Sequence, residues 1–137
     1  MFRAAALPRA QWTHLAHLRV GAWHVFHHGP DAALPLLRER IRRLNEANGV
    51  ANTPTSGYHE TVTAAYVQLL AAHLATFPAA TPLDDRVQAL LGGPLAARDV
   101  MFRFWSRDLL MSPRARAEWV PPDLAPLALP ARDPQAA

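Results

Sequence analysis

The chain has 137 residues, half of them apolar, and it contains neither cysteine nor lysine. This length corresponds to about one domain and is sufficient for a hydrophobic core. A formal net charge of +3, whose positive part is arginine alone, gives no reason to expect a nucleic-acid partner. The lack of cysteine excludes disulfides, thiolate metal ligands and cysteine nucleophiles.

No long apolar run and no small-residue cleavage site mark the N-terminal segment. The longest apolar stretch, residues 62–77, is too short for a comfortable membrane span and includes polar side chains. We therefore expect a cytoplasmic protein that binds neither membrane nor nucleic acid. The sequence leaves its oligomeric state open.

Apolar residues recur at helical spacing through most of the chain, and no window alternates as a half-buried strand would. We therefore predict an all-α fold, a compact bundle of about four to six helices, over residues 1–120. Proline recurs through residues 121–137, which are expected to form either a strap over the bundle or a disordered tail.

The first helix is predicted over residues 12–28, where a glycine-proline pair stops it. The second is predicted to run from an N-cap at Asp31, or from Pro35, to residue 48, with Gly49 as a left-handed C-terminal cap.

Beyond a loop rich in small polar residues, the pattern predicts three more helices, over residues 58–77, 83–91 and 97–111. Ser112 and Pro113 are the expected cap and first turn of a last short helix.

Five of the seven histidines lie in the first predicted helix. With Gly21 between them, His14, His17, His24 and His28 follow a spacing of three and four residues, which keeps them on one face of a helix. The rest of that helix is apolar nearly all round, as in a buried helix. The imidazoles are therefore expected to face protein.

His59 supplies the second half of the predicted site. In an up-down-up arrangement the first and third helices start at the same end, which would bring His59 and Glu60 level with His14 and His17. The histidines nearer the other end of these two helices would then lie about 21 Å away, too far to share an ion with the first group.

Neutral imidazoles and a carboxylate on rigid helices are the groups that a divalent transition metal needs. We therefore predict that His14, His17 and His59 hold iron, copper, zinc or manganese, with Glu60 as fourth ligand or general base. Tyr66, on the same face as His59, is a candidate proton donor or substrate contact.

The predicted function is that of a metal-dependent enzyme acting on a small-molecule substrate, with the loop of residues 52–56 beside the site. A buried, mostly apolar pocket with an incomplete shell of histidine and carboxylate ligands favours oxygenase-type chemistry over hydrolysis.

Each of these residues also has an ordinary structural interpretation. A His-x-x-His pair is a weak signal, and Glu60 is equally typical of a first-turn acid behind an N-cap at Gly57. His24 and His73 are more often hydrogen-bonded core histidines than ligands, and whether they form a second site with His28 is open. Two alternatives for the whole protein remain: a non-catalytic protein that stores or senses a metal or binds haem, and a structural or interaction bundle.

Two motifs, WTHLAHL at residues 12–18 and YHET at residues 58–61, together resemble a small family of bacterial all-helical proteins to which no activity is assigned. Residues 112–124 resemble the C-terminal part of that family, so the resemblance spans most of the chain. It implies that the two histidine motifs belong together. The DinB-type metal bundles are an architectural parallel only, since their histidine spacing is not found here.

Overall fold

The computed structural model describes residues 13–130, so residues 1–12, with Trp12 of the first motif, and residues 131–137 lie outside the part of the chain discussed below. In residues 13–130 the chain forms five α-helices and no strand, which confirms the predicted all-α fold. None of these helices is both long enough and apolar enough to cross a membrane. The helices are α1 (His14–Ala47), α2 (Glu60–Leu74), α3 (Leu83–Leu91), α4 (Arg107–Leu110) and α5 (Pro113–Ala117), with 3₁₀ turns at Pro94–Ala96 and Val100–Arg103.

α1 consists of two helical arms, a first arm over residues 14–28 and a second arm over residues 30–47. They meet at Gly29, whose φ of 78° lies in the region that favours glycine. The arms fold back on each other, as the contact between the guanidinium of Arg40 and the ring of His24 shows. A straight helix would hold residues sixteen positions apart at about 24 Å.

The ends of the second arm partly match the prediction. The stop at Gly29 is confirmed, but Asp31 and Pro35 both lie inside the second arm, so Asp31 is not its N-cap. The C-terminal cap at Gly49 is confirmed. Gly49 has a φ of 75°, and the N–H of Val50 donates to the carbonyl of Asn45 at 2.8 Å, as in a Schellman motif.

α2 packs against α1, α3 and α5 and is buried on nearly all sides. Ala64, on the face opposite to His59, is only 6% exposed. The helix is shorter than the predicted 58–77. It begins at Glu60, because Nδ1 of His59 accepts the N–H of Val62 at 3.1 Å and makes His59 the N-cap in place of Gly57.

The prediction of a single helix over residues 97–111 is wrong, since this range contains a 3₁₀ turn and α4. The N–H of Ser106, which a continuous helix would use internally, donates instead to a carboxylate oxygen of Asp123 at 2.7 Å. Next to it Trp105 is fully buried, and its indole N–H donates to the carbonyl of Val120 at 3.0 Å. Burial of this side chain overrides the local helical pattern.

The predicted last helix is confirmed as α5. Ser112 is its N-cap, with Oγ accepting the N–H of Ala115 at 3.2 Å, and Pro113 occupies the first turn.

Residues 118–130, here called the strap, lie against the core. The hydroxyl of Thr61 donates to the carbonyl of Glu118 at 2.8 Å and accepts the N–H of Val120 at 3.1 Å. Further along, the N–H of Leu124 donates to the carbonyl of Phe104 at 2.9 Å. Leu127 and Leu129 also pack against the core.

A buried cation, Arg86, ties together the C-terminal end of α2 and the turn that follows it. Arg86 is 7% exposed, and its guanidinium donates four hydrogen bonds of 3.0–3.1 Å to main-chain carbonyls. The accepting residues are Leu74, Pro78, Ala79 and Thr81. The negative end of the α2 dipole further stabilises the positive charge.

We expect Arg86→Met to lower the free energy of unfolding by about 3 kcal/mol, because it leaves the buried carbonyl of Leu74 and three partly buried carbonyls without this donor. Urea unfolding followed by circular dichroism measures this change. The control is Arg103→Met, at an exposed position, which should change stability by less than about 0.5 kcal/mol. Equal losses in the two variants would contradict the capping role.

Candidate functional site

A cleft with two chambers lies between the arms of α1 and α2. The smaller, here called the apolar chamber, has a volume of about 90 Å³. The larger, here called the polar chamber, has a volume of about 410 Å³ and extends to the loop that precedes α2. The two chambers share a wall made by His17, Ile41, Val62 and Thr63. The volume of the polar chamber lies in the range of pockets that bind small ligands.

Four of the five predicted site residues border this cleft, and one of them, His17, belongs to the shared wall. His14 and Tyr66 line the apolar chamber, and His59 lines the polar chamber. The predicted juxtaposition of the first arm with the start of α2 is therefore present at His17 and His59, which line the same chamber.

The tautomer of His14 is set by a main-chain contact. Its Nε2 lies 3.2 Å from the carbonyl oxygen of Leu95. A carbonyl only accepts, so Nε2 carries the proton and Nδ1 the lone pair. Metal-binding histidines commonly donate their second ring N–H in this way. The ring of His14 also packs edge-on against Tyr66, with 5.8 Å between the centroids.

The pKa values of two groups in the cleft are shifted in opposite directions. Part of His17 is exposed to solvent, but the protein atoms around its ring, and then the nearby imidazole of His14, lower the pKa of His17 to about 4. Burial, followed by the negative charge of Asp99, raises the pKa of Tyr66 to about 12. At neutral pH the cleft therefore holds a neutral imidazole and a protonated phenol.

Both ring nitrogens of His59 are engaged by the main chain. Nδ1 accepts the N–H of Val62, and Nε2 donates to the carbonyl of Leu110 at 2.6 Å. Burial lowers the pKa of His59, so its ring is a neutral structural link between α2 and α4. As it is placed here, His59 has no lone pair to offer a metal ion.

Glu60 lines neither chamber, although its partner Tyr58 lines the polar chamber. Its carboxylate accepts two hydrogen bonds of 2.8 Å from the guanidinium of Arg38 and a third, also of 2.8 Å, from the hydroxyl of Tyr58. The Arg38 guanidinium, followed by the Tyr58 hydroxyl, outweighs the effect of burial and lowers the pKa of Glu60. Glu60 therefore joins the second arm of α1 to the start of α2.

The remaining histidines do not gather into a second site. His24 is fully buried, and its Nδ1 donates to the carbonyl of Val20 at 2.8 Å. His73 donates from Nε2 to the carbonyl of Arg86 at 2.9 Å. His28 is exposed, although its ring centroid lies 6.1 Å from that of His24.

Within residues 13–130, no three histidine, aspartate or glutamate side chains converge as a complete metal shell would require. Of the predicted ligands, His14 and His17 remain as a pair three residues apart at the cleft. A metal ion held there would take its other ligands from solvent or substrate.

The end of the second arm contributes polar side chains that were not predicted from the sequence. Asn45 and Asn48 line the polar chamber, and the amide of Asn45 donates to the side-chain oxygen of Asn52 at 3.1 Å. The spacing of three residues between Asn45 and Asn48 places them on one helix face, and this spacing was the sequence feature that could have predicted their position. Asn52 fixes the loop before α2, because its side-chain oxygen also accepts the N–H of Tyr58 at 3.0 Å.

No protein-family model, no curated protein and no solved structure matches this chain. The resemblance between its histidine motifs and a family of bacterial helical proteins therefore stays an expectation.

We expect Glu60→Gln to lower the free energy of unfolding at pH 7 by about 1–2 kcal/mol, because the amide cannot make the charge-assisted bonds to the partly exposed Arg38. The contribution of Glu60 is present above its unfolded-state pKa and is lost as pH falls through its lower folded-state pKa. The difference between wild type and variant should therefore shrink in acid.

Denaturant unfolding at a series of pH values measures this effect. Glu39→Gln is the matched control, since Glu39 pairs with Arg43 on the exposed face of the same arm. A difference that persists at a pH well below the carboxylate range would contradict the role assigned to Glu60.

Proposed function

We propose that the chain is a metal-dependent enzyme acting on a small molecule in the cleft, with His14 and His17 as the protein ligands of a divalent transition metal. The observation that carries this proposal is the hydrogen bond from His14 Nε2 to the carbonyl of Leu95, which leaves the Nδ1 lone pair for coordination. The two histidines are three residues apart on one rigid arm and border the same chamber.

Two histidines leave most positions of a metal ion open to substrate and solvent. Such a site can polarise a bound substrate or support oxygen chemistry. Hydrolysis is less well supported, because the predicted general base Glu60 lines neither chamber and its carboxylate is bound to Arg38 and Tyr58. Tyr66, which borders the same chamber as His14, is the proton donor of the proposed site.

Metal titration tests this proposal. Protein made without a histidine tag and stripped of metal is titrated by calorimetry with zinc, manganese, copper(II) and, without oxygen, iron(II). We expect one equivalent of at least one ion to bind, and His14→Ala or His17→Ala to weaken binding at least tenfold.

His27→Ala is the matched control, because it removes an exposed histidine of the same arm that lines neither chamber. It should bind metal as wild type does. Circular dichroism establishes that each variant is folded. If wild type binds none of the four ions, or if His14→Ala and His17→Ala bind as tightly as wild type, the metal proposal is wrong.

A second candidate, proton transfer without a metal, is favoured by the pair of neutral groups in the cleft. His17 is an acceptor because of its lowered pKa, and Tyr66 remains a donor because its pKa is raised to about 12. This candidate differs from the first in one measurable respect. It requires a small molecule to bind equally well before and after complete removal of metal by a chelator.

A further inference from the structure

We infer that the cleft takes an uncharged small molecule with a short aliphatic chain and a hydrogen-bonding head such as an amide or a hydroxyl. This inference deepens the proposed function and rests on it, because it names the class of molecule that would occupy the same cleft.

The apolar chamber determines the length of the aliphatic chain that the ligand can carry. Its walls are the side chains of Leu18, Leu37, Val67 and Leu70, closed at one side by the rings of His14 and Tyr66. A group the size of a water molecule takes about 30 Å³, so the volume of about 90 Å³ accommodates about three carbon atoms. An aliphatic group gains free energy there by leaving water.

The polar chamber determines the polarity and charge of the head group of the ligand. Asn45, Asn48 and Thr63 line it with amide and hydroxyl groups. No aspartate, glutamate or arginine side chain of residues 13–130 lines it, and His59 is held neutral by its two main-chain hydrogen bonds. The guanidinium of Arg116 is already bound to the carbonyl of the lining residue Gly57, at 2.8 Å. A charged head would therefore lose hydration and find no carboxylate or guanidinium on the chamber wall, whereas an amide or hydroxyl would find donors and acceptors.

The shared wall connects the two requirements. Because His17 and Thr63 border both chambers, a ligand whose head lies in the polar chamber extends its chain between them into the apolar chamber. The head then lies beside His17, and the chain approaches Tyr66.

Gly21 packs closely against the wall of the apolar chamber. A Cβ atom at this position would lie 2.7 Å from Cδ1 of Leu70, the end of a flexible side chain on the chamber wall. The side chain of Leu70 would have to move, and the apolar chamber would change shape. Gly21 is therefore a specificity-determining residue of this cleft.

The test uses a series of linear primary amides from acetamide to hexanamide, with binding followed by NMR shifts of His17 and Thr63. We expect affinity to rise about threefold with each added carbon, up to a chain of about four or five carbons, and then to fall. Butyrate and butylammonium, which carry a charge on a chain of the same length, should bind at least tenfold more weakly than butyramide.

Two variants should move the preferred length in opposite directions. Gly21→Ala should shorten it by at least one carbon, and Val67→Ala, which removes two methyl groups from the same chamber, should lengthen it. Gly92→Ala is the matched control. A Cβ there would meet its nearest neighbour at an ordinary 3.7 Å, outside the cleft, so the preference should be that of wild type.

Equal or tighter binding of the charged compounds, or a preferred length that neither Gly21→Ala nor Val67→Ala changes, would overturn the inference. So would metal uptake at His14 and His17 by a protein that binds no amide, and in that case the proposed function would stand. Amide binding with the expected length preference in a protein that takes up no metal would support the inference and overturn the metal site instead.

Discussion

The cleft depends on the reversal of α1 at Gly29. A residue with φ of 78° at this point lets the second arm return along the first, so that Ile41 and Asn45 come to lie across from His17. The contact between Arg40 and His24 fastens the two arms about midway. Without the reversal the histidine stripe would lie on an open helix face, and neither chamber would have its second wall.

Imidazole-to-carbonyl hydrogen bonds hold the less regular parts of the chain against the helices. His14 donates to Leu95, His59 to Leu110 and His73 to Arg86, and each bond reaches a segment that follows α2 in the chain. The accepting carbonyls belong to the 3₁₀ turn at Pro94–Ala96, to the end of α4 and to α3. A high histidine content is therefore structural at several positions, and this narrows the set of histidines left for chemistry to the first turn of α1.

The pattern of the sequence was sufficient where structure follows from local rules. The stop at Gly29, the cap at Gly49, the whole of α3 and the Ser112-Pro113 start of α5 all follow from residue type and spacing, and the structure confirms them. The break within residues 97–111 does not, because it arises from Asp123 and Val120, which approach from the strap.

In the candidate site, too, local sequence rules account for some features and tertiary packing for the others. Helical spacing was enough to place His14 and His17 on one face and to bring the first arm beside the start of α2. It could not show that Glu60 turns to Arg38, or that His59 caps its own helix, since both outcomes depend on partners brought near only by tertiary packing. Buried polar side chains of this kind are decided by the nearest available donor or acceptor.

The position of the strap bears on the order in which the molecule folds. The hydroxyl of Thr61 makes hydrogen bonds to Glu118 and Val120, which are 57 and 59 residues further along the chain. The indole N–H of Trp105 also donates to Val120, so this bond too forms only when the strap is in place. Contacts so distant in sequence form slowly, and on a ribosome they cannot form until those residues have been made. Until then α2, which is apolar on nearly every side, stays partly uncovered, so the newly made chain passes through a period in which aggregation competes with closure of the core.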